Sequence, residues 1–140
     1  MTTDPKFKLI LLWLFTTIGM ILHFNYHVGE IFYGIDIVRP EATGEVPIGV
    51  FVIRSVFYHL PFIWMLLIVY VKNALLKPIL FGISLLYLLS HGAHLAGELS
   101  QEQIDPSQTS LLALVLVVAG MLSTEHYLWW KKSDSDEAAA

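Results

Sequence analysis

The chain has no cysteine, which excludes a disulfide framework, iron–sulfur clusters and thiolate zinc sites and leaves the redox compartment open. Charge is almost as scarce. Asp, Glu, Lys and Arg make up 14% of the 140 residues, against about one-quarter in an ordinary soluble domain. With 56% of the residues hydrophobic, too little ionised side chain remains to clothe a water-facing surface. A soluble globule and a disordered chain are both excluded on that ground. A net charge of −4 argues against nucleic acid as a partner. Gly-rich phosphate loops, nucleophile elbows and Ser-His-Asp spacings are also missing. What is left is an integral membrane protein, whose first partner is the lipid bilayer.

A hydrocarbon core about 30 Å thick takes roughly 20 helical residues to cross. Four windows of that length stand out, about residues 7–33, 47–71, 75–99 and 107–130, in a single domain over residues 1–132. A lipid-exposed backbone must satisfy its own hydrogen bonds, so each window is expected to be a helix. The fold class is then all-α, a bundle of four transmembrane helices. Asp105-Pro106-Ser107-Gln108 offers an N-cap acid, a proline for the first helical position and a capping-box glutamine ahead of the fourth helix. Pro61 is expected to kink the second helix near His59 by freeing the carbonyl of Phe57. Residues 133–140 are polar, end in three alanines and read as a disordered cytoplasmic tail. No small-x-small cleavage site follows the first apolar run, which reads as a retained span rather than a signal peptide.

Basic residues set the orientation. Lys6 and Lys8 precede the first span, Lys72 and Lys77 flank the turn between the second and third, and Lys131 and Lys132 follow the fourth. The other two connections carry only Arg39, alongside Asp36, Glu41, Glu45, Glu102 and Asp105. By the positive-inside rule both termini are cytoplasmic and the acidic loops face outward, as in a multi-pass protein of a bacterial-type inner (plasma) membrane.

Orientation turns the histidines into a geometry. The first helix carries His23, His27 and Glu30 at i, i+4 and i+7, and the third carries His91, His94 and Glu98 at i, i+3 and i+7, each set on one face. At 1.5 Å per residue, His23 and His91 lie about 12–15 Å below the outer boundary, His27 and His94 about 8–9 Å, and the glutamates within about 5 Å. On the second helix Arg54 falls at about 10 Å, with Tyr58 and His59 at about 16–18 Å. Ionisable groups in a span are costly unless they meet partners, so all of these are expected to point into the bundle. Gly92, Ala93, Ala96 and Gly97 form a small-residue stripe suited to close helix approach.

Neutral imidazoles and carboxylates together suit a transition metal such as zinc, iron or copper. In that reading His23, His27, His91 and His94 are ligands, Glu30 and Glu98 are ligands or acceptors from them, and Arg54 is a charge partner, with Tyr58 and His59 beside it. A haem held by one histidine from each helix is an alternative cofactor. Met20, one turn before His23, is a soft ligand for copper or a packing residue. A different reading makes the same groups a hydrogen-bonded network in a non-enzymatic subunit of a larger membrane complex, a homo-oligomer or a proton-coupled carrier. There Arg54 pairs with Glu30 or Glu98. A third makes them a pocket whose Arg54 holds a carboxylate, a phosphate headgroup or a quinone. The sequence does not decide whether the protein is an enzyme.

The spacing H-x-x-x-H with H-x-x-H is similar to single histidine boxes of membrane di-iron desaturases and hydroxylases. Those enzymes carry more histidines in longer chains, and the Glu-x-x-His pairs of soluble di-iron bundles are not met either, so no family is assigned. Glu125 and His126 precede Tyr127, Trp129, Trp130, Lys131 and Lys132 and read as part of an interfacial belt. Trp13 and Trp64 read as lipid-facing or packing residues, and Glu41 and Glu45 as members of a solvated loop.

Overall fold

The computed structural model describes residues 4–38, 42–102 and 104–138, with side chains as far as Lys132. Arg39 and Glu41, counted above with the acidic loops, lie outside the described residues. All regular structure in the described residues is helical. Four helices are each long and apolar enough to cross a membrane: α1 (Pro5–Tyr33), α2 (Ile48–Tyr70), α3 (Leu76–Leu99) and α4, whose apolar part is Pro106–Lys132. These bounds fall within two residues of the expected windows. Helix α4 runs on to Ala138, so the chain beyond Lys132, expected to be disordered, is helical through its described residues.

Local chemistry explains the ends. The Asp4 carboxylate accepts the Lys6 N–H at 2.9 Å with Pro5 in the first turn, an N-cap for α1. The last turn of α1, Glu30–Tyr33, tightens to a 3-10 helix and stops at Gly34, whose φ of 77° is open to glycine at no steric cost. The Asp105 carboxylate caps α4 by accepting the Ser107 N–H at 2.7 Å. Slight desolvation pushes that carboxyl up, but hydrogen bonds from Ser107 and Gln108 outweigh it and hold it below the usual carboxylate range.

Helices α1, α3 and α4 make most of the core, to which α2 adds the buried Ile68. Trp13 of α1 meets Tyr87 of α3 at 4.9 Å between ring centroids, and Trp13 Nε1 donates to His126 Nε2 of α4 at 3.0 Å. Both Trp13 and His126 are fully buried, so the interfacial reading of His126 is corrected, while Glu125 pairs with Lys8 at 3.1 Å at the lysine-bearing end. An indole N–H inside a bundle needs an acceptor, and the imidazole provides it. The contacts run α1 parallel to α3 and antiparallel to α4, which places both termini and all six lysines at one end of the bundle. The close approach is between α1 and α4: a Cβ on Gly19 would collide with the Val115 side chain. Gly92 makes only ordinary contact with Leu116, and Ala93, Ala96 and Gly97 face outward, so the expected stripe on α3 is not a contact face.

Helix α2 is the least buried, with 11% of its apolar window inside the protein against 44% for α1. It consists of Ile48–Arg54, a π-helical turn over Ser55–His59, and Leu60–Tyr70. In the π turn the Leu60 N–H reaches back to the Ser55 carbonyl. The Val56 carbonyl would then look to residue 61, which is proline and has no N–H. Tyr87 of α3 supplies the missing donor through its hydroxyl. Pro61 therefore frees a carbonyl as expected, but it is Val56, rather than Phe57, that accepts a side-chain donor.

Candidate functional site

At the end of the bundle remote from the termini, α1 and α3 bring their polar faces together. His23 Nε2 and His27 Nε2 lie 4.0 and 3.7 Å from Glu98 Oε1, and His94 Nε2 lies 3.5 Å from the same oxygen. The His23 ring meets His27 edge-on at 4.6 Å and His94 at 4.8 Å. One ligand atom each from His23, His27 and Glu98 falls within 4.8 Å of the others. His23 is 3% exposed, and neither of its ring nitrogens has a hydrogen-bond partner among the described residues. His27 and His94 are partly exposed.

Helix α4 adds a residue that sequence reasoning assigned to capping. The Gln108 side chain hydrogen-bonds the Asp105 carboxylate at its own N-terminus and also reaches across to α1. Its Nε2 donates to Glu30 Oε1 at 2.7 Å and contacts His27 Nδ1 at 3.2 Å. A carboxamide NH2 only donates, so His27 Nδ1 is the acceptor and the ring proton sits on Nε2, toward Glu98. The signal was present. Leu122, Ala119, Val115 and Leu112 are buried at steps of three and four, and the next step back is Gln108.

His91, expected as a fourth ligand, is 1% exposed and apart from the group. It packs between Phe57 at 5.4 Å and Tyr87 at 6.2 Å, and neither ring nitrogen has a hydrogen-bond partner among the described residues. The reason is register: His23 stands beside His94 rather than His91, an offset of three residues or about 4.5 Å of helix rise. His59 lies on the exposed side of α2 and takes no part. Arg54 and Tyr58 line the cavity next to the cluster together with Met20, but Arg54 forms no ion pair with Glu30 or Glu98.

The arrangement holds three imidazoles and two carboxylates from two helices with no cation among them. Such a set offers nitrogen and oxygen donors to a divalent ion, or a chain of donors and acceptors for protons. No protein family, curated protein or solved structure matches the chain, so the site is read from its own geometry.

Proposed function

We propose that this multi-pass membrane protein binds one divalent transition-metal ion, zinc, iron or copper, through His23, His27 and Glu98. The observation that carries the reading is the convergence of those three donor atoms within 4.8 Å around a buried imidazole with no hydrogen-bond partner among the described residues. Metal bonds of about 2.0–2.1 Å at tetrahedral angles set ligand atoms roughly 3.4 Å apart. The His27–Glu98 and His23–Glu98 separations of 3.7 and 4.0 Å exceed that by about 0.3 and 0.6 Å, and the His23 and His27 donors lie within 4.8 Å, so binding an ion draws the two imidazoles together by side-chain rotation. His94 is placed to be a fourth ligand or to hydrogen-bond Glu98, and Glu30 to accept from His27 Nδ1 once Nε2 binds metal. A haem fits poorly, because the imidazoles touch edge to face and leave no slot for a macrocycle. The lysines at the termini end support cytoplasmic termini in a bacterial-type inner membrane, with the site opening outward.

The test is elemental analysis of full-length protein purified in detergent after metal-replete growth. About one zinc, iron or copper ion per chain is expected, and Glu98→Gln should lose it while keeping helical content and monodispersity. A metal-free wild-type protein overturns the reading.

One observation favours a second reading. Gln108, Glu30, His27, Glu98 and His94 already satisfy one another as a chain of hydrogen bonds and near contacts. That suits a structural or proton-conducting network in a carrier or in a subunit of a larger complex. It expects a metal-free wild type in which Glu98→Gln lowers thermal stability.

A further inference from the structure

Beside the cluster, between α1 and α2, lies a cavity of about 760 Å³. Its size is that of small-molecule sites, which run roughly 300–1,000 Å³. Most of the polar groups on its wall are taken. Glu30 accepts from Gln108 at 2.7 Å, Glu98 lies against His94 at 3.5 Å, and Asp36 accepts the Val38 N–H at 2.9 Å. Arg54 differs, as do the Tyr58 hydroxyl and the His23 ring nitrogens. Arg54 lines the cavity, is exposed, and makes neither hydrogen bond nor ion pair among the described residues. A permanent cation inside an apolar span is retained where something anionic meets it. Tyr58, four residues on and also lining the cavity, adds a hydroxyl that has no partner among the described residues.

His23 and His27 also face this cavity, and apolar side chains, among them Phe24, Val50 and Ile53, complete its wall. Helix α2, which forms one side of the cavity, is little buried, and Phe24 and Ile53 are exposed. A guanidinium presents a planar fork of donors that matches a carboxylate or phosphate, and the apolar wall suits a hydrocarbon chain. We propose that this cavity binds a single-chain amphiphile, with its carboxylate or phosphate head on Arg54 and Tyr58 and its chain along Phe24, Val50 and Ile53. The site requires no metal, so it stands whether or not the cluster holds an ion.

The experiment is equilibrium binding to full-length protein in phosphatidylcholine nanodiscs, with and without a chelator. The probes are radiolabelled oleate, lysophosphatidic acid and inorganic phosphate. Saturable binding near one amphiphile per chain is expected, unaffected by chelation and weakened about tenfold or more in Arg54→Gln, with partial recovery in Arg54→Lys. Val50→Trp, which fills the berth of the chain and leaves Arg54 in place, should also abolish it. If Arg54→Gln fails to fold, Val50→Trp alone decides. Unsaturable uptake, or binding equal to wild type in a folded Arg54→Gln or Val50→Trp protein, overturns the proposal. Inorganic phosphate competing as well as lysophosphatidic acid also overturns it, since the ligand would then be a free anion. Loss of metal stoichiometry in the same preparations bears only on the cluster.

Discussion

Glu30 shares its carboxylate between two neighbours, the Gln108 amide at 2.7 Å and the His27 ring nitrogen Nδ1 at 3.7 Å. In the metal-free geometry Gln108 occupies that nitrogen, and His27 carries its proton on Nε2. Binding a metal at Nε2 requires the proton on Nδ1 instead, where Glu30 is the acceptor within reach. Such supporting hydrogen bonds commonly contribute a factor of about 10–100 to metal affinity. Glu30→Gln is therefore expected to weaken metal binding by about that factor while leaving the saturating stoichiometry unchanged, measured by competition with a chromophoric chelator. Full loss of the ion would instead make Glu30 a direct ligand. An unchanged affinity would remove it from the site. No substitution at His91 is expected to act in this way, because its ring is walled off by Phe57 and Tyr87.

At the scale of the helices, one regularity organises the molecule. Buried positions recur at steps of four and three: Leu9, Trp13, Thr16, Met20 and His23 on α1, Leu80, Ser84, Tyr87 and His91 on α3, and Gln108 to His126 on α4. That repeat is visible in the sequence, which is why the spans and the polar faces of α1 and α3 could be read from it. Register was not visible. A three-residue slide between two parallel helices leaves each stripe intact yet replaces His91 with His94 beside His23, and only packing around Trp13, Tyr87 and Gly19 selects between the two. The π turn was equally hidden, since it arises from Pro61 and a hydroxyl on another helix together. That coupling can be measured. Tyr87→Phe should destabilise the protein by about 1–3 kcal/mol, because it strands the half-buried Val56 carbonyl. In a Pro61→Ala background the same change should cost less, as the new N–H can serve that carbonyl. Unfolding in mixed micelles for the four members of the cycle gives the interaction energy. Additive effects would show that the proline and the tyrosine act separately.

The whole molecule is fastened at both ends by polar contacts between helices distant in sequence, with apolar packing between. Lys8–Glu125 and Trp13–His126 close the termini end, and Gln108 with Glu30 and His27 closes the other. The two ends differ sharply in charge. The six lysines gather at the first, while Glu30, Asp36, Glu45, Glu98, Glu102 and Asp105 lie at the second. Helix α2 shares in neither fastening and, little buried, forms one side of the cavity. The lysine asymmetry predicts that the turn between α2 and α3 is cytoplasmic and that the two acidic loops are external. The absence of native cysteine makes this simple to examine, since a single introduced thiol carries the whole signal. Glu45→Cys and Gln101→Cys should react with a membrane-impermeant maleimide on intact cells, and Asn73→Cys only after permeabilisation. The reverse pattern would put the His23–His27–Glu98 group on the cytoplasmic side, exposing it to a reducing, metal-buffered compartment. An ion taken up under the proposed metal-binding reading would then come from the cell's own pool rather than from outside.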